Sequence, residues 1–195
     1  MRRTFLTTSL GMLIAAGFAP SAAQAQDLCA GRIPGTISFH TGEIERGKPL
    51  PPVASAYELG KPMYALACLA DATEVQPSGG KKFRVVLSIK QTKSYDGKYS
   101  SYQASAKQEG VFRPEITKPR KDLIVYLHED FDLSKLAYKL EPGEYSFRLQ
   151  AASEQGTGQL DLTIQATSDT ATLYVQELRK AGYLADGQIM VTKKD

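Results

Sequence analysis

The sequence has few of the side chains that carry most enzyme chemistry. Its 195 residues include two histidines, two cysteines and no tryptophan. A serine hydrolase would need a histidine beside a serine on a sharp Gly-x-Ser-x-Gly turn, and the sequence has no such motif. Its histidines and methionines also lack the His-x-His or Met-x-Met spacing of copper sites. We therefore expect no enzyme and no cofactor. A periplasmic hydrolase is the least favoured alternative, because it would need His128 within about 3.2 Å of a serine, threonine or carboxylate in a cleft.

Long apolar runs are also rare, and the amino-terminal one has the form of an export signal. Residues 1–25 combine two early arginines, a short apolar region and the small-residue site Ala23-Gln24-Ala25, which predicts cleavage before Gln26. The apolar region is too short and too interrupted to span a bilayer. Arg2-Arg3-Thr4-Phe5-Leu6 also resembles the twin-arginine signal, so the Sec and the twin-arginine routes both stay open. Either route predicts a periplasmic or secreted protein with no transmembrane segment in the mature chain.

No charge of one sign dominates the chain. The formal net charge is +3, and loss of the signal peptide with its two arginines would lower it to about +1. Basic residues form only short clusters, at 81–82, 118–121 and 193–194. Because nucleic-acid binding needs a basic patch or stripe, the sequence predicts no nucleic-acid partner.

The two cysteines, Cys29 and Cys68, are predicted to form one disulfide, as expected for an exported chain in an oxidising compartment. They are too far apart in sequence for a redox Cys-x-x-Cys pair. The bond would attach an irregular amino-terminal arm to the strand that contains Cys68. In the chain-entropy account it would stabilise the fold by about 3–4 kcal/mol.

Apolar and polar residues alternate repeatedly along the rest of the chain. In residues 145–151, apolar side chains at every second position alternate with Ser146, Arg148 and Gln150, the period of a strand with one buried face. About seven strands separated by turn residues are expected, a spacing typical of an antiparallel sandwich rather than a βαβ fold. They are residues 36–40, 63–70, 83–91, 102–108, 123–128, 145–151 and 159–165.

A short motif precedes the strand at 145–151. Leu140-x-Pro142-Gly143-x-Tyr145 resembles the tyrosine corner of immunoglobulin-like and fibronectin type III sandwiches. The resemblance implies an all-β, antiparallel, immunoglobulin-like sandwich in which Pro142 and Gly143 form a turn and the Tyr145 hydroxyl binds the backbone. The chain departs from antibody domains because it lacks the core tryptophan and the disulfide bridge between the two sheets. A jelly roll therefore stays an alternative.

Hydrophobic spacing changes to a helical period near the end of the chain. Ser168 or Asp169 is predicted to cap a helix from about 171 to 181, and Gly182 to end it. The predicted organisation is a signal peptide (1–25), then an arm, first strand and Pro-rich loop (26–60). A sandwich with its carboxyl-terminal helix (61–185) and a tail (186–195) follow. In the tail, an apolar patch at 189–191 precedes charged residues that are expected to fray.

Glu129, Asp130 and Asp132 form the densest acidic cluster and are the weak candidates for a metal site. Convergent carboxylate oxygens are what Ca²⁺ requires. The glycine and distal glutamate of a calcium loop are absent, so the sequence favours a solvated loop.

Tyr95, Asp96, Tyr99 and Tyr102 lie around an Asp-Gly turn and form the candidate binding face. Aromatic rings beside polar groups bind sugars or peptides, although tyrosines also pack across strands in ordinary hairpins.

These features favour an exported, non-enzymatic β-sandwich that serves as a binding or accessory module of the bacterial envelope. Its partner would be another envelope protein or a glycan. The alternative is a carbohydrate-binding module that uses the Tyr95, Tyr99 and Tyr102 hairpin.

Overall fold

The computed structural model describes residues 27–74, 83–94, 107–153 and 168–194. The strands in these segments form one curled, mixed β-sheet, and three helices accompany it. The strand order is β5-β4-β7-β8-β1-β3-β6, and β2 pairs with β8 beside this path. The predicted β-rich chain with a carboxyl-terminal helix is confirmed. The elements are β1 Thr36–His40, β2 Ala56–Glu58, β3 Tyr64–Cys68, β4 Phe83–Ser94, β5 Lys107–Phe112, β6 Asp122–Tyr126, α1 Leu127–Asp130, α2 Leu133–Lys139, β7 Gly143–Ser153, α3 Ser168–Lys180 and β8 Tyr183–Lys193.

The three longest strands, β4, β7 and β8, form the middle of the sheet. Their alternation places apolar side chains in rows across the strands: Phe147 on β7 lies opposite Ile89 on one side and Ile189 on the other. All three side chains belong to the main hydrophobic core. Burial of such rows is the principal stabilising term for a sheet with one covered face.

The sheet is mixed, whereas the sequence predicted antiparallel pairing throughout. β8 pairs in parallel with β1 through Thr36 and Asp186, and in parallel with β2 through Ala56 and Met190. Both short strands therefore lie on the side of β8 that faces away from β7.

Close approach of β1 to β8 depends on Gly187. A Cβ atom at Gly187 would lie 2.5 Å from the carbonyl oxygen of Ile37. No side chain fits at that distance, so glycine is required there.

The predicted tail at 186–195 is a strand over most of its length. Residues up to Lys193 belong to β8, where Ile189 and Val191 are buried. The apolar side chains of this segment complete the core, which explains why it is ordered as a strand.

The segment between β6 and β7 is helical, whereas the sequence favoured a solvated loop around residues 129–132 and assigned no helix after it. β6 ends at Tyr126, and α1 and α2 follow. Leu127, Leu133 and Leu136 from these helices are buried in the main core. Burial of that apolar stripe favours the helical conformation over an extended one.

The amino-terminal arm covers the other face of β3. Cys29 and Cys68 form the predicted disulfide, with their Cα atoms 5.5 Å apart. Leu28 and Ile44 pack with Leu66 and Cys68 in a small second core. The arm is therefore fixed both by a covalent bond and by apolar burial.

The turn before β7 contains the hydrogen bond expected of a tyrosine corner. The Tyr145 hydroxyl donates to the backbone carbonyl of Glu141, four residues earlier. Gly143 opens β7 at a place where a Cβ atom would lie 2.5 Å from the Lys93 carbonyl oxygen. Gly143 and Tyr145 thus have local structural roles.

Helix α3 begins at Ser168, three residues before the predicted start, and Gly182 follows it with the left-handed φ of 75° that was expected there. Tyr174 and Leu178 bury its apolar side. Among the described residues, no helix is long and apolar enough to cross a membrane. The predicted strand at 159–165 lies outside the described residues.

Candidate functional site

Two of the three acidic candidates accept hydrogen bonds from backbone amides at the ends of helices. The Asp130 carboxylate accepts from the Tyr126 amide at 2.8 Å, and the Asp132 carboxylate accepts from the Lys135 amide at the start of α2. In the segments that the structure describes, no three histidine, cysteine, aspartate or glutamate side chains are grouped to hold a metal. Asp130 and Asp132 therefore cap the helical segment, while Glu129 is exposed.

Burial raises the pKa of the Asp130 carboxyl, and the charge of Glu129 adds to this effect, while the Tyr126 amide opposes it. The candidate binding face of Tyr95, Asp96, Tyr99 and Tyr102 lies outside the described residues.

His128 has a serine partner at the distance that a hydrolase would need. Its Nε2 atom lies 3.2 Å from the Ser134 hydroxyl. Its buried Nδ1 atom has no hydrogen-bond partner among the described groups, so nothing there orients the ring as a catalytic base requires. Neither residue lines the cavity described below.

His40 takes part in a network that the sequence analysis did not predict. Its side chain is fully buried, with Nδ1 2.8 Å from the Pro51 carbonyl and Nε2 2.9 Å from the Ser38 hydroxyl. Because a carbonyl can only accept, Nδ1 carries the proton and Nε2 accepts from Ser38. Burial lowers the pKa of His40, and the nearby Arg32 charge lowers it further, against the opposing effect of the Pro51 carbonyl.

This network connects three parts of the chain. Arg32 in the amino-terminal arm donates to the Ser38 hydroxyl at 3.3 Å, and His40 on β1 holds the Pro-rich loop at Pro51. Both imidazole nitrogens are occupied by protein groups in a closed environment. The network therefore holds the arm and the loop on the sheet rather than presenting a nucleophile to solvent. The Ser38-x-His40 spacing, which places both side chains on one face of a strand, was the available sequence signal.

A second buried network joins β7, β8 and α3. Two guanidinium nitrogens of Arg148 donate to the two carboxylate oxygens of Asp186, each at 3.0 Å. The Tyr174 hydroxyl is close to the same carboxylate, and burial together with Asp186 raises the pKa of Tyr174 to about 12. These contacts position α3 against the sheet.

The most exposed large hydrophobic side chain of the described residues lies on α2. Tyr138 is 92% exposed, whereas most large apolar or aromatic side chains of the described residues are covered. Lys135 and Lys139 flank it in sequence and are also exposed. We call Lys135, Tyr138, Lys139 and the adjoining cavity the α2 surface.

The cavity has a volume of about 240 Å³ and lies between α2 and β4. Its apolar floor includes Leu87 and Leu136, both buried in the main core, and Phe131 forms part of the wall. Both lysines line its rim. The full set of lining residues is Leu87, Phe131, Asp132, Lys135, Leu136 and Lys139.

The rim of the cavity is cationic. In the described part of the chain, no carboxylate forms an ion pair with Lys135 or Lys139. Asp132, the one acidic lining residue, is engaged by the Lys135 backbone amide. An apolar floor below the ammonium groups of Lys135 and Lys139 favours a ligand that is apolar at one end and anionic at the other.

Sequence reasoning missed the α2 surface because it assigned no helix to residues 133–140. The signal was present: apolar residues at 133, 136, 137 and 140 have the i, i+3, i+4, i+7 spacing of a helix. Asp132 immediately before them is a favourable cap.

Comparison with known proteins adds no family to this description. The chain matches no protein-family model, no curated protein and no solved structure. Functional inference therefore rests on the geometry of the chain itself.

Proposed function

We propose that this protein is an exported, non-enzymatic binding or accessory protein of the bacterial envelope, and that its partner contacts the α2 surface. The observation that carries the proposal is the exposure of Tyr138, which is flanked on α2 by Lys135 and Lys139, neither of which forms an ion pair with a carboxylate of the described segments. Tyrosine is favoured at protein interfaces because it offers a large contact area at low entropic cost.

Two features support export and a binding role. The amino-terminal residues 1–25 have the pattern of a signal peptide, and a disulfide fixes the arm that would follow it. The saturated hydrogen bonds of His40 and the incomplete environment of His128 favour binding over hydrolysis.

The immunoglobulin-like arrangement stays part of the proposal. The Tyr145 to Glu141 hydrogen bond supports it, since that bond defines the corner motif. An experimental structure in which residues 154–167 contribute to a second sheet packed on the first would bear it out, whereas one without that second sheet would contradict it.

The function is tested by photo-crosslinking in the living envelope, with a crosslinking amino acid placed at position 138 or 173. Leu173 on α3 is the matched control, because it is a large exposed side chain at 63% that lies outside the α2 surface. We expect one defined protein adduct from position 138 and none from position 173. The Tyr138→Ala protein should also recover less of that partner in a pull-down.

Adducts of equal yield from both positions would contradict a partner on the α2 surface. Recovery of polysaccharide alone, lost in Tyr99→Ala and retained in Tyr138→Ala, would replace the proposal with the carbohydrate-binding alternative.

A further inference from the structure

We propose that the α2 surface recognises an acidic segment of its partner protein, anchored by one large apolar side chain. The inference rests on the proposed function and specifies the chemistry of the partner.

The size of the cavity favours an anchor over a whole small ligand. Its volume of about 240 Å³ is below the roughly 300–1,000 Å³ common for small-molecule sites. One leucine or phenylalanine side chain would cover the floor made by Leu87 and Leu136. Fully covered apolar anchors of this kind supply much of the affinity at protein interfaces.

The positions of the charges orient the segment. Lys135 and Lys139 are four residues apart on α2, so their side chains lie on the same side of the helix. Asp132, one turn earlier, would repel an acidic group at its end of the cavity. A carboxylate next to the anchor is therefore best placed between Lys135 and Lys139, on the side away from Asp132.

Tyr138 extends the contact beyond the cavity. On an α-helix it lies about 60° around the axis from Lys135. A carboxylate ligand small enough to fit the cavity would leave this ring uncovered. A polypeptide that passes from the cavity over Lys135 would cover it, which is why we assign the site to a protein segment.

The test uses four probes with the oxidised mature protein, followed by amide chemical-shift mapping. The acidic peptide is acetyl-EELEE-amide, its uncharged match is acetyl-QQLQQ-amide, the peptide without an anchor is acetyl-EEAEE-amide, and the small carboxylate is octanoate. We expect acetyl-EELEE-amide to shift the amides of residues 131–139 and Leu87. Its dissociation constant should be at least about fivefold lower than those of the other probes.

Variants separate charge recognition from structural damage. The Lys135→Gln/Lys139→Gln protein should bind acetyl-EELEE-amide about fivefold more weakly, whereas Lys118→Gln, at an exposed position outside α2, should not change the affinity. The Lys135→Glu/Lys139→Glu protein should instead prefer acetyl-KKLKK-amide. A reversal of preference cannot come from partial unfolding of α2.

Three results would overturn the inference: equal binding of the acidic and uncharged peptides, shifts that map elsewhere, or tighter binding of octanoate than of the peptide. If position 138 crosslinks a partner whose capture is unchanged in the double-glutamine variant, the proposed function stands and the acidic-segment inference fails. If acetyl-EELEE-amide binds as expected but no partner is crosslinked in the envelope, the proposed function fails while the chemistry of the site stands.

Discussion

At the scale of a single residue, the burial of His40 makes the stability of the folded protein depend on pH. A free histidine has a pKa of about 6.5, and burial holds the pKa of His40 below that value in the folded protein. As the pH falls, the unfolded chain therefore takes up the proton first. Protonation of the folded form would also remove the acceptor that binds Ser38 and place a charge near Arg32.

We expect the free energy of unfolding to fall as the pH is lowered from about 6.5 towards 5, with most of the His40 contribution present above pH 6.5. His40→Gln should lower the stability at pH 7 and flatten this part of the pH profile. Urea denaturation at a series of pH values measures both effects. His128→Gln is the matched control for the loss of a histidine. A His40→Gln profile as steep as that of the unchanged protein would contradict the role of His40.

Asp132 determines the start of α2 and has an unusual backbone. Its φ of 48° is left-handed, and it is the one non-glycine residue with positive φ in the described chain. Aspartate and asparagine tolerate this conformation better than alanine does. The carboxylate also caps the helix through the Lys135 amide.

Asp132→Ala should therefore destabilise the protein by about 1–2 kcal/mol, because it loses the cap and adds backbone strain. Asp132→Asn keeps both properties and should stay within about 0.5 kcal/mol of the unchanged protein. Thermal or urea unfolding of the two variants measures how much stability each substitution removes. Equal losses would show that the negative charge, and not the cap geometry, is what matters.

At the scale of elements, the Arg148–Asp186 pair attaches α3 and β8 to β7. The side chain of Asp186 is almost fully covered and that of Arg148 mostly so. Removing one member of a buried pair leaves the other desolvated without a counter-charge. The Asp71–Arg179 pair offers the comparison, since its nitrogen and oxygen atoms are 2.8 Å apart and about half of each side chain is exposed.

We expect Asp186→Asn to lower the free energy of unfolding by about 3 kcal/mol and Asp71→Asn by less than about 1 kcal/mol. Denaturant titration at neutral pH compares the two. If both substitutions lower the free energy of unfolding by the same small amount, the Arg148–Asp186 pair is solvated in solution and does not fix α3.

At the scale of the whole molecule, the disulfide keeps the amino-terminal arm on the sheet. Cys29→Ser/Cys68→Ser should lower the free energy of unfolding by about 3–4 kcal/mol, because the bond joins residues 39 apart and restricts the unfolded chain. Amide hydrogen exchange should accelerate in residues 27–35, where the arm loses its covalent attachment. Unchanged exchange there would mean that Leu28 and Arg32 hold the arm without the bond.

Local patterns explain what the sequence could predict. In residues 145–151 the alternation of apolar and polar side chains is enough to predict a strand with one buried face. The disulfide was predictable because the chain has two cysteines, so each could pair only with the other. Pairing between β8 and β1 could not be foreseen, because it joins residues far apart in the chain and the alternation of a strand does not name its neighbour. The α2 surface was missed for a different reason: a helix of seven residues gives a short signal, and the apolar residues that precede it continued the strand pattern.

The position of β8 between β7 and β1 has a consequence for the order of events in synthesis. In the described sheet, β5, β4 and β7 meet β1, β3 and β6 through this strand alone. Until the ribosome has made residues 183–193, the nascent polypeptide holds two half-sheets, each with an unpaired edge. The two edges stay unpaired, and open to chaperones, until β8 has emerged and joins them into the described sheet.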